Sequence, residues 1–234
     1  IYEFDGSNLN FSYSIENAFD EIYSLDWSYT GSYLAVGANQ SANKEVIVYR
    51  YEDDVLELKS SVDLDDDAKF VRWHPTKEYL FVGGLDLRST THDWVIYSSL
   101  EGVLSLANSG NWFTSPEIVG GFEWSSKSTS GGNNYGLLLR DVRLYSVYFN
   151  ESTDWDYPYD YSYYDESSNI NSSTWSPDGN YVVVGLANGL IRVSAFSGSA
   201  FTSKDSIDFG QEVYSVDWIN DFIVVGGDPD TANR

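Results

Sequence analysis

Apolar and polar positions alternate with period two through much of this chain, as in Val46-Ile-Val-Tyr49-Arg-Tyr51, Val95-Ile-Tyr97, Val142-Arg-Leu-Tyr-Ser-Val-Tyr148 and Leu190-Ile-Arg-Val193. Segments of this kind, rich in Val, Ile and Tyr and joined by Gly, Asn, Asp and Ser, predict β-strands. No stretch of about 11 residues or more carries a helical stripe. The sequence therefore points to an all-β fold.

The strands recur in units. Trp27, Trp73, Trp124, Trp175 and Trp218 follow one another at spacings of 46, 51, 51 and 43. Ten residues after Trp27, Trp73 and Trp175 a glycine closes an apolar run: Tyr33-Leu-Ala-Val-Gly37, Tyr79-Leu-Phe-Val-Gly83 and Tyr181-Val-Val-Val-Gly185. Phe222-Ile-Val-Val-Gly226 repeats that run after a shorter turn, whereas in the third unit the turn expands into a Gly/Ser-rich loop from Ser125 to Asn134. An alternating third segment and a fourth, such as Val55-Leu-Glu-Leu58 or Phe201 to Phe209, complete each unit. Four short strands in roughly 40 to 50 residues is the pattern of a propeller blade.

Blades are expected at about 20–64, 68–114, 117–165 and 170–209. Ile1-Tyr-Glu-Phe4 with Leu9 and Phe11 matches Val48-Tyr-Arg-Tyr51 with Leu56 and Leu58, which makes residues 1–16 the third and fourth strands of a preceding blade. Residues 213–234 supply the first and second strands of a last one. Either the two halves join into a five-blade ring, which removes exposed edges, or the 234 residues are part of a larger ring or chain. Large first-strand residues crowd a five-blade ring and favour the second.

Trp175-Ser-Pro-Asp-Gly-Asn-Tyr-Val-Val-Val-Gly185 resembles the first hairpin of the WD-repeat (beta-transducin-like) propeller family, and the runs from Trp73 to Gly83 and Trp27 to Gly37 resemble it closely. The resemblance covers essentially the whole chain, with the third unit the poorest fit. It implies a β-propeller of four-stranded antiparallel blades, and a non-enzymatic platform for protein partners. The chain departs from the family in lacking its Gly-His pair, and in carrying Tyr49-Arg50, Tyr97-Ser98, Tyr145-Ser146 and Ser194-Ala195 where the family ends its third strand on Trp-Asp. It is read as a divergent member. Fold alone does not name a function.

Charge narrows the partners. There are 36 Asp plus Glu against 13 Lys plus Arg, a net charge of −23. A surface of that sign repels phosphate backbones and anionic lipid, so no nucleic-acid partner is expected. No apolar run reaches the roughly 18 residues of a membrane span, so no membrane insertion is expected either. With no Cys there is no disulfide framework, no thiolate metal site and no cysteine nucleophile. Absent Cys and Met with abundant Tyr, Ser and Asp fit a cell-surface or extracellular protein. The family's usual cytoplasmic home points the other way, and localisation stays open. Four N-x-Ser/Thr sequons, at Asn10, Asn39, Asn150 and Asn171, are within what chance gives in so Ser-rich a chain.

Two surfaces stand out as candidate sites. The connections from one unit's fourth strand to the next unit's first strand carry Asp20-Glu21, Asp65-Asp66-Asp67, Asp165-Glu166 and Asp208 with Glu212. In a propeller these connections share one face, so the acids would form a rim that serves either as solvated charge for solubility, or as a surface for a basic partner or a hard cation such as calcium. Asp63-Leu-Asp65-Asp-Asp67 lacks the Gly and distal Glu of an EF-hand loop. The second surface is a tyrosine stripe, Tyr157, Tyr159, Tyr161 and Tyr163, which alternation places on one face of an outer strand that tolerates Pro158. Such a stripe either packs between blades or binds peptides or sugars.

The two histidines are read as structural: His74 as a turn residue and His92 as part of the connection between second and third strands. Triad members converge from separate elements, which the run Ser89-Thr-Thr-His92-Asp93 does not offer. No catalytic residue, metal ligand or cofactor is assigned. The expected function is a non-catalytic interaction or structural scaffold, alone or as part of a larger assembly. A metal-dependent hydrolase or lactonase using Asp65, Asp67 or Asp165, and a carbohydrate or adhesion module, are the alternatives.

Overall fold

The computed structural model describes residues 1–16, 21–39, 44–87, 92–110, 121–128, 134–148 and 162–228. The chain forms two compact units, Ile1–Glu117 and Ile118–Arg234.

The first unit opens with a hairpin of β1 (Tyr2–Phe4) and β2 (Leu9–Phe11). Two antiparallel four-stranded meanders follow. Sheet I is β3 (Ile22–Trp27), β4 (Tyr33–Ala38), β5 (Val46–Glu52) and β6 (Val55–Val62); sheet II is β7 (Ala68–Trp73), β8 (Tyr79–Leu87), β9 (His92–Leu100) and β10 (Val103–Gly110). The second unit holds sheet III, made of β11 (Gly121–Ser128), β12 (Asn134–Arg140), β13 (Arg143–Tyr148) and β14 (Ser162–Asp165). Sheet IV is β15 (Ile170–Trp175), β16 (Tyr181–Leu186), β17 (Leu190–Phe196) and β18 (Phe201–Asp208), and a hairpin of β19 (Val213–Ile219) and β20 (Phe222–Gly227) comes last. Four whole sheets and two half-sheets are the arrangement that the tryptophan spacing predicts.

Three local expectations change. The polar stretch after Trp124 is partly strand, because β11 runs on to Ser128, which lies opposite Asn134. His92 is not in a connection but starts β9, paired with Leu87. Asp165 and Asp208 close β14 and β18 rather than lying in the loops that follow. Each strand continues as long as its neighbour still offers backbone partners, which composition alone does not reveal.

Within each unit the apolar cores lie between successive sheets, and the glycines explain how closely those sheets approach. Ala35, Val46 and Val48 of sheet I meet Val71, Leu80, Val82 and Val95 of sheet II. Leu137, Leu139 and Leu144 of sheet III meet Trp175, Val182, Val184 and Phe196 of sheet IV. A Cβ on Gly37 would stand 2.8 Å from the carbonyl oxygen of Ala68 in the next sheet, and one on Gly185 would collide with Val213. The conserved spacing within this chain, a glycine ten residues after the tryptophan, is thus a packing requirement for the neighbouring first strand.

First strands share an irregularity. The β3–β4, β7–β8, β15–β16 and β19–β20 ladders each slip by one residue near their start, between Ile22 and Ser24, Ala68 and Phe70, Ile170 and Ser172, and Val213 and Ser215. The bulged residues are Tyr23, Lys69, Asn171 and Tyr214. A bulge bends its strand and re-aims a side chain.

Candidate functional site

The bulge turns side chains towards the acids of the following sheet. The Tyr23 hydroxyl donates to Asp67 Oδ2 at 3.1 Å, and Lys69 Nζ donates to the same oxygen at 2.6 Å. Asn171 Nδ2 donates to Glu212 Oε1 at 2.9 Å and to the Val213 carbonyl at 2.9 Å. In the Tyr23–Asp67 and Asn171–Glu212 pairs the donor is the bulged residue of one sheet and the acceptor is the acid just before the first strand of the next, whereas Lys69 reaches Asp67 from the bulge of the same sheet.

One residue further along, the link is repeated. Val71 donates its backbone N–H to Ser24 Oγ at 3.2 Å, and Val216 donates to Ser172 Oγ at 3.1 Å. Deeper still, Trp73 N–H reaches Asp26 Oδ2 at 2.6 Å, and Thr174 Oγ1 donates to Glu123 Oε1 at 2.9 Å. These ties satisfy half-buried first-strand polar groups that face the neighbouring sheet. Sequence reading missed Ser24, Asp26, Glu123 and Ser172. The only signal available was a polar residue recurring two or three positions before the tryptophan or next to it.

The rim acids accordingly divide. Asp67 and Glu212 are held by the ties, and Glu21 pairs through its backbone with Asn39. Asp65 is exposed at φ +65°, and its N–H donates to Asp63 Oδ1. Asp66 caps the N–H of Asp67 at 2.6 Å. Asp165 meets Arg143 at 2.7 Å across the β13–β14 ladder, and Asp208 caps the Gly210 N–H at 2.8 Å. Glu166 departs from the rim altogether. It is buried, with Oε2 3.0 Å from Arg192 Nη1, and burial pushes its carboxyl up while Arg192 opposes the shift. A desolvated carboxylate needs such a partner. Asp20 lies outside the described residues.

Glu45 is a second buried acid that the sequence did not mark. It accepts the Leu64 N–H at 2.6 Å, and burial, together with Asp63 and Asp65 nearby, pushes its carboxyl up against the pull of that N–H. Among the described residues no three His, Cys, Asp or Glu are grouped so as to hold a metal ion. His74 is buried at the β7–β8 turn, where sheets I and IV place Ser28 and Ser176. In the tyrosine stripe, Tyr157, Tyr159 and Tyr161 lie outside the described residues. Tyr163 is described only in its backbone, opposite Tyr145 on β13.

Residues 10–50 and 160–193 match the family model for the WD domain, G-beta repeat. These two stretches are similar to WD repeats. The crystal structure of the Saccharomyces cerevisiae Sqt1 is similar in fold, with a TM-score of 0.68 and 12% identity over 97% of this chain and 73% of that one. At that identity the likeness concerns the fold alone. No curated protein matches the sequence. The four-stranded sheets are β-propeller blades, and the hairpins that begin at Trp27 and Trp175 lie within the two matched stretches; there the Ser28 and Ser176 hydroxyls accept the N–H groups of Tyr33 and Tyr181 at 3.1 and 2.9 Å.

Proposed function

We propose that this chain is a non-catalytic scaffold that holds protein partners of basic character. WD repeats serve in general as platforms for protein interaction, and the observation that carries the finer reading is the excess of 36 acidic over 13 basic residues on blades of that type. Exposed acids, such as Asp65 and Asp208, leave a negative field that steers a positive partner and sets the rate of encounter. Their distribution over a loop and a separate strand end suits a broad contact surface better than a single reacting centre.

The reading is tested by cross-linking the native protein in its source at low and high ionic strength and identifying the attached proteins. Basic partners lost as salt rises are the expected result, since screening removes steering between exposed charges. Partners that are acidic and insensitive to salt would overturn the proposal.

A further inference from the structure

A pocket of about 310 Å³ lies between the β15–β16 turn and the β19–β20 turn, lined by Ser176, Pro177, Asp178, Tyr181, Trp218, Asn220 and Asp221. Its aromatic wall is Tyr181 with Trp218, ring centroids 6.3 Å apart and planes inclined by 32°. The Trp218 indole is fixed by its own N–H, which donates to the Asn220 carbonyl at 3.1 Å. Two exposed carboxylates, Asp178 and Asp221, stand at the edge. Asp178 is oriented by the Ser176 hydroxyl at 2.6 Å and the Asn180 N–H at 3.0 Å.

Elsewhere the chain fills comparable places with its own cations. Lys69 Nζ sits 3.8 Å from the Tyr23 ring centroid while bonding Asp67, and Lys127 Nζ sits 5.6 Å from the Phe196 ring while bonding Asn180 Oδ1 at 3.0 Å. Among the described residues no Lys or Arg takes that position over Tyr181 and Trp218 or pairs with Asp178 or Asp221. We infer that this pocket receives an arginine side chain from a basic partner, the guanidinium lying on the Tyr181–Trp218 wall and its N–H groups directed at Asp221 and Asp178. Arginine fits better than lysine because a planar guanidinium stacks on an indole and forks to a carboxylate at the same time. The volume suits one long side chain. The inference rests on the reading of the chain as a scaffold for basic partners, and gives that partner its point of recognition.

The test is fluorescence anisotropy of a labelled Gly-Arg repeat peptide and a Gly-Lys repeat peptide of equal length, at low ionic strength. Three variants are compared with the parent: Asp221→Lys in the exposed turn, Trp218→Leu, and Glu3→Lys on exposed β1 as a control of equal charge change. The arginine peptide is expected to bind severalfold tighter than the lysine peptide, and to lose about tenfold with Asp221→Lys or Trp218→Leu but little with Glu3→Lys. Equal losses with Asp221→Lys and Glu3→Lys would overturn the pocket while leaving the basic-partner reading intact. Equal binding of the two peptides would overturn the assignment to arginine. No binding of either peptide by the parent would remove both the pocket and the reading beneath it.

Discussion

The carboxylate of Asp26, on the first strand of sheet I, accepts the backbone N–H of Trp73, on the first strand of sheet II, at 2.6 Å. Trp73 is buried, so this donor has no ready access to water. Asp26→Ala would leave it unsatisfied and is expected to cost about 1–3 kcal/mol, the range for an orphaned buried donor. Asp26→Asn keeps an acceptor oxygen and should cost less. Urea midpoints of the two variants at neutral pH give the comparison.

Acid titration should expose two opposing trends. Asp26, Glu45, Glu78 and Glu166 all have carboxyls pushed up, with burial the first cause in each. Groups whose folded values exceed their unfolded ones contribute stability that is full below the ordinary carboxylate range and is lost as pH rises through the folded value. His74 runs the other way. Burial, aided by Lys77, lowers it from 6.5 to about 4, so its contribution is present above 6.5 and is lost as pH falls towards 4. That loss amounts to roughly 2–3 kcal/mol. His74→Ser, which installs the residue used at Ser28 and Ser176, should abolish it. In urea melts the variant is then expected to gain stability more steeply than the parent as pH falls towards the carboxylate range.

Gly185→Ala places a methyl group against Val213 of the next hairpin. Overpacking of this kind costs about 1–3 kcal/mol. Pairing it with Val213→Ala should recover part of the loss, because the two side chains share one space and their effects do not add. A thermal-melt double-mutant cycle measures the coupling. Strict additivity would show that the approach of the two strands does not depend on this glycine.

The β9–β10 hairpin turns on Glu101 and Gly102, both at positive φ (+52° and +82°), between the paired Leu100 and Val103. A two-residue turn with both angles positive favours Asn-Gly, and glutamate is poorly suited to the left-handed region. Glu101→Asn should stabilise the chain by roughly 0.5–1 kcal/mol. A rise in the urea midpoint with an unchanged slope would confirm the effect.

The sheets were readable in the sequence because their cause is local. Alternation over five or six residues, a tryptophan and a glycine ten residues later all lie within one short stretch of chain and are visible to the eye. The ties between sheets were not, because each joins residues more than forty positions apart, as in Tyr23 with Asp67 or Asn171 with Glu212. A one-residue slip in the ladder aims these side chains, and nothing in the composition announces a slip. For the same reason the acidic loops read as a uniform rim, although Glu166 is turned inward to Arg192 and Asp67 and Glu212 are engaged by neighbours. The arginine pocket went unseen because Tyr181 reads as an ordinary strand residue and Trp218 as one more of the repeated tryptophans.

The ties from Ser24 and Asp26 to Val71 and Trp73 all run forward along the chain. During synthesis, then, the meander that ends at Val62 leaves the ribosome with its innermost hydroxyl and carboxylate still facing water. It acquires their partners only after some ten further residues have emerged. Sheet I is thus finished by sheet II, as sheet IV is by the last hairpin, and until its successor emerges the growing polypeptide carries an incomplete surface. A pause in translation just before residue 73 would hold that surface open, which makes this interval the natural moment for a chaperone to engage.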